Sequence, residues 1–306
     1  GLMVGDSLAQ PPPLSSMQRV ISAALEEDLA YGDLTSTMLI PPTLLARAKI
    51  IAKGHMIVAG VAVARQVFHA IDSTITLTTH TGDGTMVRPS TPILSMKGKA
   101  QSLLQAERVA LNFLQRLSGI STLTRQFCDA VRDYPVAIVD TRKTTPGLRA
   151  LEKWAVRLGG GHNHRFSLHD GILIKDNHLM ILSAQKMNLT QACLRARQQA
   201  PHGLRICVEV ETVAQVQQAL KGKADVLLLD NMPPAQVRHA IGIIQGRALV
   251  EVSGGMNLSN IRDMAQAGPN FISIGALTHS APSMDLSMDM APFRTKICPQ
   301  KRQHRT

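Results

Sequence analysis

The sequence predicts an α/β protein, with a mixed α+β region first and then a parallel sheet built from repeated strand–helix units. Three observations carry this reading. Six short apolar runs recur along the second half of the chain, at 136–139, 171–174, 205–210, 225–229, 248–252 and 271–274. Helical patterns fall between or after them, at 148–158, 185–199, 212–220, 233–244 and 257–267. Polar residues then gather at or just past the carboxyl ends of the runs: Asp140-Thr141-Arg142-Lys143, Lys175-Asp176-Asn177, Glu209 with Glu211, Asp230-Asn231, Ser253-Gly254-Gly255 and Gly275. An open doubly wound sheet usually binds its ligand at one switch point. A barrel collects catalytic groups from all of its strand ends, so the distribution favours a barrel with fewer than eight full repeats.

The elements follow in order. Gly1 to Pro13, with its run Pro11-Pro12-Pro13, reads as a flexible lead-in and lacks the basic start and sustained apolar stretch of a signal peptide. From Ser16 to Leu29, Val20, Ile21, Ala24 and Leu25 recur at helical spacing, with Ser15 or Ser16 placed to cap the start. Residues 28–36 read as a loop. Extended segments are expected at 46–52, 55–59, 74–79 and 92–96, separated by Gly-Asp-Gly and Pro turn signals, with a helix at 60–71 among them. A long amphipathic stretch from Leu103 to Val131, with an interruption expected at Ser118-Gly119, leads into the second region. The resulting division is a lead at 1–15, an α+β domain at 16–116, the barrel at 117–280 and a C-terminal segment at 281–306.

Composition excludes several classes. A chain of 306 residues, 44% hydrophobic, buries a full core, and no apolar run approaches the ~20 residues of a spanning helix. Cys128, Cys193, Cys207 and Cys298 stand apart, with neither a Cys-x-x-Cys pair nor metal-ligand spacing, which fits a reducing cytoplasm. The net charge is +11, but Lys296, Lys301, Arg302 and Arg305 all sit in the acid-free last eleven residues and read as a solvated basic tail. Nucleic acid is the weaker reading of that charge, because aromatics for base stacking make up only 3% of the chain.

Between Asp140 and His178 lie seven lysines and arginines, with a triple glycine and clustered histidines. Such a concentration at element ends points to a pocket for a small, densely anionic substrate. Arg142, Lys143, Arg165 and Lys175 form the cationic group, and His164 beside Arg165 adds a donor. Arg149, Lys153 and Arg157, on one helix with Glu152, read instead as a surface rich in salt bridges. Glu209 and Asp230 place two acids on successive strands, suited to hold a divalent ion, bind sugar hydroxyls or stabilise a cationic transition state. Glu251-Val-Ser-Gly-Gly-Met-Asn is a strand end entering a helix through paired glycines, and Gly275 follows the next strand; together they suggest a phosphate cradle.

Long motifs then carry a resemblance. Glu27-Asp-Leu-Ala-Tyr-Gly-Asp-Leu-Thr-Ser, Glu107-Arg-Val-Ala-Leu-Asn, Leu117-Ser-Gly-Ile-Ser-Thr, Asp140-Thr-Arg-Lys-Thr-Thr-Pro-Gly-Leu-Arg, Gly159-Gly-Gly-His-Asn-His-Arg and Leu173-Ile-Lys-Asp-Asn-His resemble those of quinolinate phosphoribosyltransferase, also called nicotinate-nucleotide pyrophosphorylase (carboxylating). Glu209-Val-Glu, Leu229-Asp-Asn, Val252-Ser-Gly-Gly and Gly275-Ala-Leu-Thr-His-Ser extend the likeness, which runs from about 18 to 290. The resemblance implies an N-terminal α+β open sandwich followed by an incomplete (β/α) barrel of about six or seven strands. It implies phosphoribosyl transfer from phosphoribosyl pyrophosphate to quinolinate with loss of carbon dioxide, assisted by Mg2+ and without an organic cofactor. It also implies a homodimer with shared sites, or a higher assembly of dimers. By motif, Arg142, His164, Arg165 and Lys175 would grip the quinolinate carboxylates, and Lys143 with Thr141 would line the shared pocket. Arg108 would reach into the neighbouring subunit's site. Glu209 and Asp230 would face the ribose and its metal, and Ser253, Gly254, Gly255 and Gly275 would hold the 5′-phosphate. Two alternatives stand beside this: a related phosphoribosyltransferase with another acceptor, such as the molybdenum-associated homologue, and a basic nucleic-acid-binding protein. The full set Arg142, His164, Arg165 and Lys175 speaks for a dicarboxylate acceptor.

Overall fold

The structure is a computed structural model and describes residues 9–293; the basic tail and Cys298 lie outside them. Its first region holds α1 (Leu14–Leu29), α2 (Leu34–Leu39), β1 (Leu45–Ala52), β2 (Met56–Ile57), α3 (Val61–Ile71), β3 (Thr76–Thr79), β4 (Met86–Val87) and β5 (Pro92–Lys99). Along β1, Ala46, Ala48, Ile50 and Ala52 are buried while Leu45, Arg47 and Lys49 face out, the period-two pattern of a half-covered sheet. Val63, Ala64, Val67 and Phe68 of α3 are fully buried, and α3 packs against the next helix, α4 (Ala100–Ala130).

Three local expectations change. Residues 9–13 are not a loose lead: the Ala9 carbonyl accepts from the Trp154 indole at 2.9 Å, and the Gln10 carbonyl accepts from Arg157. The cap of α1 falls on Pro13, ahead of both serines, and makes no side-chain bond. Asp33 turns part of the expected loop into α2 by accepting from the Ser36 N–H at 3.1 Å.

The expected break at Ser118-Gly119 is absent, because α4 runs straight through it for 31 residues. The small residues serve close approach instead. Ser118 Oγ accepts from the Ala59 N–H at 3.0 Å, and a Cβ on Gly119 would overlap the Pro282 carbonyl. A glycine costs a helix interior only ~1 kcal/mol, which this packing outweighs.

The second region continues with β6 (Ala137–Val139), α5 (Arg149–Leu158), β7 (Ile172–Ile174), α6 (Asp176–Ser183), α7 (Leu189–Gln199), β8 (Ile206–Val210), α8 (Val213–Lys221), β9 (Val226–Asp230), α9 (Pro234–Ile244), β10 (Leu249–Ser253), α10 (Ile261–Gln266), β11 (Phe271–Ser273) and α11 (Ala276–His279). The six strands form one all-parallel sheet in the order β6-β11-β10-β9-β8-β7. Runs such as Val226-Leu-Leu-Leu are buried throughout, as a sheet covered on both faces requires. Beside β6, His162 forms a single parallel bridge to Val139, a vestigial seventh strand position. The helix expected at 185–199 begins only at Leu189, after a turn in which Lys186 adopts φ +58°; Asn188 starts α7 in a capping box with Gln191, and the short α6 precedes the expected range.

The last described strand, β12 (Leu286–Pro292), pairs antiparallel with β1, so the segment after the barrel completes the first sheet in the order β12-β1-β5-β3. Among the described residues, no helix is long and apolar enough to cross a membrane.

Candidate active site

A cleft of about 710 Å³ opens at the carboxyl ends of the parallel strands. Of the thirteen residues singled out from sequence, Thr141, Arg142, Lys143, His164, Arg165, Lys175, Glu209, Asp230, Ser253, Gly254, Gly255 and Gly275 line it. Arg108 does not. It stands exposed on α4 and lines a separate hollow with Arg19, Glu27, Thr145 and Phe166. Strand order explains the convergence. Arg142 and Lys143 follow β6 and Lys175 follows β7, the two sheet edges, while Arg165 lies in the loop that runs from the His162 bridge beside β6 to Gly171 ahead of β7, whose carbonyl it reaches at 3.3 Å; all four line the one cleft. The acids and glycine loops come from the inner strands β8 to β11.

The cationic wall rests on a buried carboxylate. Asp140, fully buried, accepts from Lys153 Nζ at 2.6 Å, the His164 backbone N–H at 2.7 Å and Asn163 Nδ2 at 2.7 Å. It ties the loop of residues 162–165 to the end of β6. Burial pushes the Asp140 carboxyl up, opposed by the Lys153 ammonium, and pushes Lys153 down, opposed by Asp140. The expected surface ridge on α5 is therefore corrected: Lys153 and Glu152 are both buried. Glu152 accepts from the Thr145 N–H and hydroxyl at 2.8 and 2.9 Å, holding the loop after Lys143. In one dimension a lysine that neutralises a buried acid looks like a solvated one.

Arg142 and Arg165 are close enough that burial and the Arg142 charge both lower the Arg165 pKa. The Arg142 Nε is buried without an acceptor among the described residues, a state costing ~1–3 kcal/mol that a bound carboxylate would relieve. Lys143 is pinned at its backbone, its N–H on Thr141 Oγ1 and its carbonyl receiving Thr278 Oγ1 at 2.8 Å. Its side chain passes over Gly275, where a Cβ would stand 2.9 Å from Lys143 Cδ.

Opposite lie the acids. Burial raises the Glu209 pKa, Asp230 and Asp176 raise it further, and Lys175 opposes them. Asp230 accepts from Ser253 Oγ at 2.9 Å, which holds that hydroxyl toward the acid. Ligand atoms of Asp176, Glu209 and Glu211 lie within 4.8 Å of one another, so Glu209 keeps company with these two rather than with Asp230 alone. Asp176 and Glu211 escaped the sequence reading as ligands, although both flank motif residues. The glycine pair also differs from expectation. Gly254 and Gly255 have φ of +97° and +66°, but an Asn257-centred turn follows, and α10 begins only at Ile261. Backbone N–H groups of the loop, rather than a helix start, are what this segment offers.

The chain matches the quinolinate phosphoribosyl transferase N-terminal domain over residues 33–118 and the C-terminal domain over 120–289. The chain belongs to the quinolinate phosphoribosyltransferase family. Family relatives cover almost all of it. A probable nicotinate-nucleotide pyrophosphorylase [carboxylating] of Bacillus subtilis is 43% identical over 90% of this chain and 93% of its own length. Quinolinate phosphoribosyltransferase [decarboxylating] 1b of Nicotiana tabacum is 37% identical over 92% of this chain and 85% of its own. The solved nicotinate-nucleotide pyrophosphorylase of Francisella tularensis superposes with a TM-score of 0.87 at 34% identity, covering 92% of this chain and 99% of that one. The sandwich and incomplete barrel expected from the resemblance are thus the family's fold.

Proposed function

We propose that this protein transfers the phosphoribosyl group of phosphoribosyl pyrophosphate to quinolinate, with decarboxylation, giving nicotinate mononucleotide, pyrophosphate and carbon dioxide. The observation that carries this is one cleft with cations along its seam and acids on the facing strands. A pyridine dicarboxylate matches Arg142, Arg165 and Lys175, whose forks and point charge fix both carboxylates. Holding the ring nitrogen toward the sugar is mainly a positioning gain. Loss of pyrophosphate leaves positive charge on the ribose, which Glu209 and Asp230 stabilise. The loop of Ser253, Gly254 and Gly255, with Gly275, offers backbone donors to the 5′-phosphate. Once the ring nitrogen is alkylated, its charge stabilises the carbanion left by carbon dioxide.

Magnesium belongs to the proposal. Asp176, Glu209 and Glu211 form a hard oxygen donor set that suits the ion. When bound, it would neutralise and orient the pyrophosphate. Supporting a second subunit, Arg108 is exposed and away from its own cleft, where it can enter another.

The test is turnover of purified protein with quinolinate, phosphoribosyl pyrophosphate and magnesium, beside a tube with nicotinate as acceptor. Mononucleotide from quinolinate alone is expected. Product from neither, with protein folded, would reject this acceptor and turn attention to the homologue class that uses another one.

A further inference from the structure

His164 sits between two open spaces. On one side is the substrate cleft; on the other is a second cavity of about 420 Å³, lined by apolar Val139, Cys207, Val226 and Phe271. His164, Arg165 and Glu251 line both, and so form the partition. With free volume on either side, packing alone does not hold the imidazole in place.

Hydrogen bonds hold it instead. The Arg165 backbone N–H donates to His164 Nδ1 at 2.9 Å. A backbone N–H can only donate, so Nδ1 is the acceptor and the ring proton is on Nε2. That nitrogen faces Glu251 Oε2 at 3.2 Å. Glu251 projects from β10 and is 4% exposed, and His164 is its side chain's hydrogen-bond partner among the described residues. The backbone N–H of His164 is already bound to Asp140. Both ring nitrogens are thereby engaged within the protein, so the donor expected of His164 toward a substrate points at Glu251.

We propose that Glu251 is a positioning residue. By accepting the Nε2 proton it anchors the ring in the orientation that lets Nδ1 receive the Arg165 N–H, and stops it from turning into the second cavity, where both the contact and the single tautomer would be lost. The ring in turn holds the backbone N–H of Arg165, and so the direction from which the Arg165 guanidinium enters the cleft. The part of this concerning substrate rests on the proposed function; the tautomer does not.

The experiment joins a spectroscopic and a kinetic readout. Nitrogen shifts of isotope-labelled histidine, with His164 assigned by comparison to His164→Asn, are expected to show a proton on Nε2 and a bare Nδ1 in the wild-type protein. In Glu251→Ala those signals should collapse to a solvent-averaged mixture. KM for quinolinate should rise roughly 10–100-fold, the range for losing one hydrogen bond to a charged group, with KM for phosphoribosyl pyrophosphate unchanged. Glu251→Gln keeps an acceptor oxygen and should restore most of both properties. A wild-type proton on Nδ1 overturns the proposal outright, without need of any variant. Unchanged His164 signals in a folded Glu251→Ala protein overturn it too, as does loss of the tautomer with quinolinate KM unmoved. If quinolinate is not turned over at all, the function proposal fails while the spectrum still decides the role of Glu251.

Discussion

Arg142 and Arg165 belong to different parts of the chain, yet each is placed by a buried carboxylate. Asp140 precedes one and clamps the loop bearing the other. Removing either guanidinium leaves its share of a dicarboxylate unmatched, so Arg142→Ala or Arg165→Ala should cost about 2–5 kcal/mol in transition-state binding. Steady-state kcat/KM measures this, and unchanged turnover in either variant would take that arginine out of the pocket. The strand-end position made Arg142 and Lys175 readable from sequence alone. Lys153 was not, since helical periodicity reports which face a residue occupies and says nothing of a buried acid waiting on another element. Glu251 was hidden for a related reason: it lies inside an apolar strand, where a lone acid carries no pattern of its own.

At the scale of elements, the parallel strands were legible because burial on both faces makes continuous apolar runs, and their carboxyl ends because polar residues follow those runs. Helix ends were less so. The turn after Gly255 and the division of α6 from α7 depend on the Asn257 and Asn188 side chains accepting from the backbone N–H groups of Asn260 and Gln191, a competition that periodicity does not register. The middle of α4 shows the converse, a glycine kept in a helix for the sake of its neighbour. Gly119→Ala gains about 1 kcal/mol in helix propensity. It also drives a Cβ into the Pro282 carbonyl and Ser283 Cα, backbone that cannot swing aside. A net loss of about 1–3 kcal/mol is expected from overpacking. Denaturant unfolding settles the sign, and a stabilised variant would show that the Pro282–Ser283 segment yields.

For the whole molecule, the separation of Arg108 from its own cleft has a direct genetic consequence. If two copies share sites, a subunit with Arg108→Ala and one with Lys175→Ala each retain the half that the other lacks. Mixed and reassociated, they should regain up to about a quarter of wild-type activity, by random pairing of halves in symmetric dimers. Mixtures no more active than the separate variants would argue that each cleft is complete within one chain. Sequence could suggest this arrangement only through family likeness, because an exposed arginine on a long helix has no spacing that marks a second chain.

The return of β12 to β1 makes segments on either side of the barrel interdependent in time. During synthesis the first sheet emerges from the ribosome before the barrel, but the strand that covers one flank of β1 is made only after it. Until then β1 offers a bare row of backbone donors and acceptors, the kind of edge that recruits foreign strands. The nascent protein must carry that vulnerable flank through the making of the entire barrel. A stop codon shortly before Leu286 would leave every cleft residue translated, yet the newborn chain permanently open on that side.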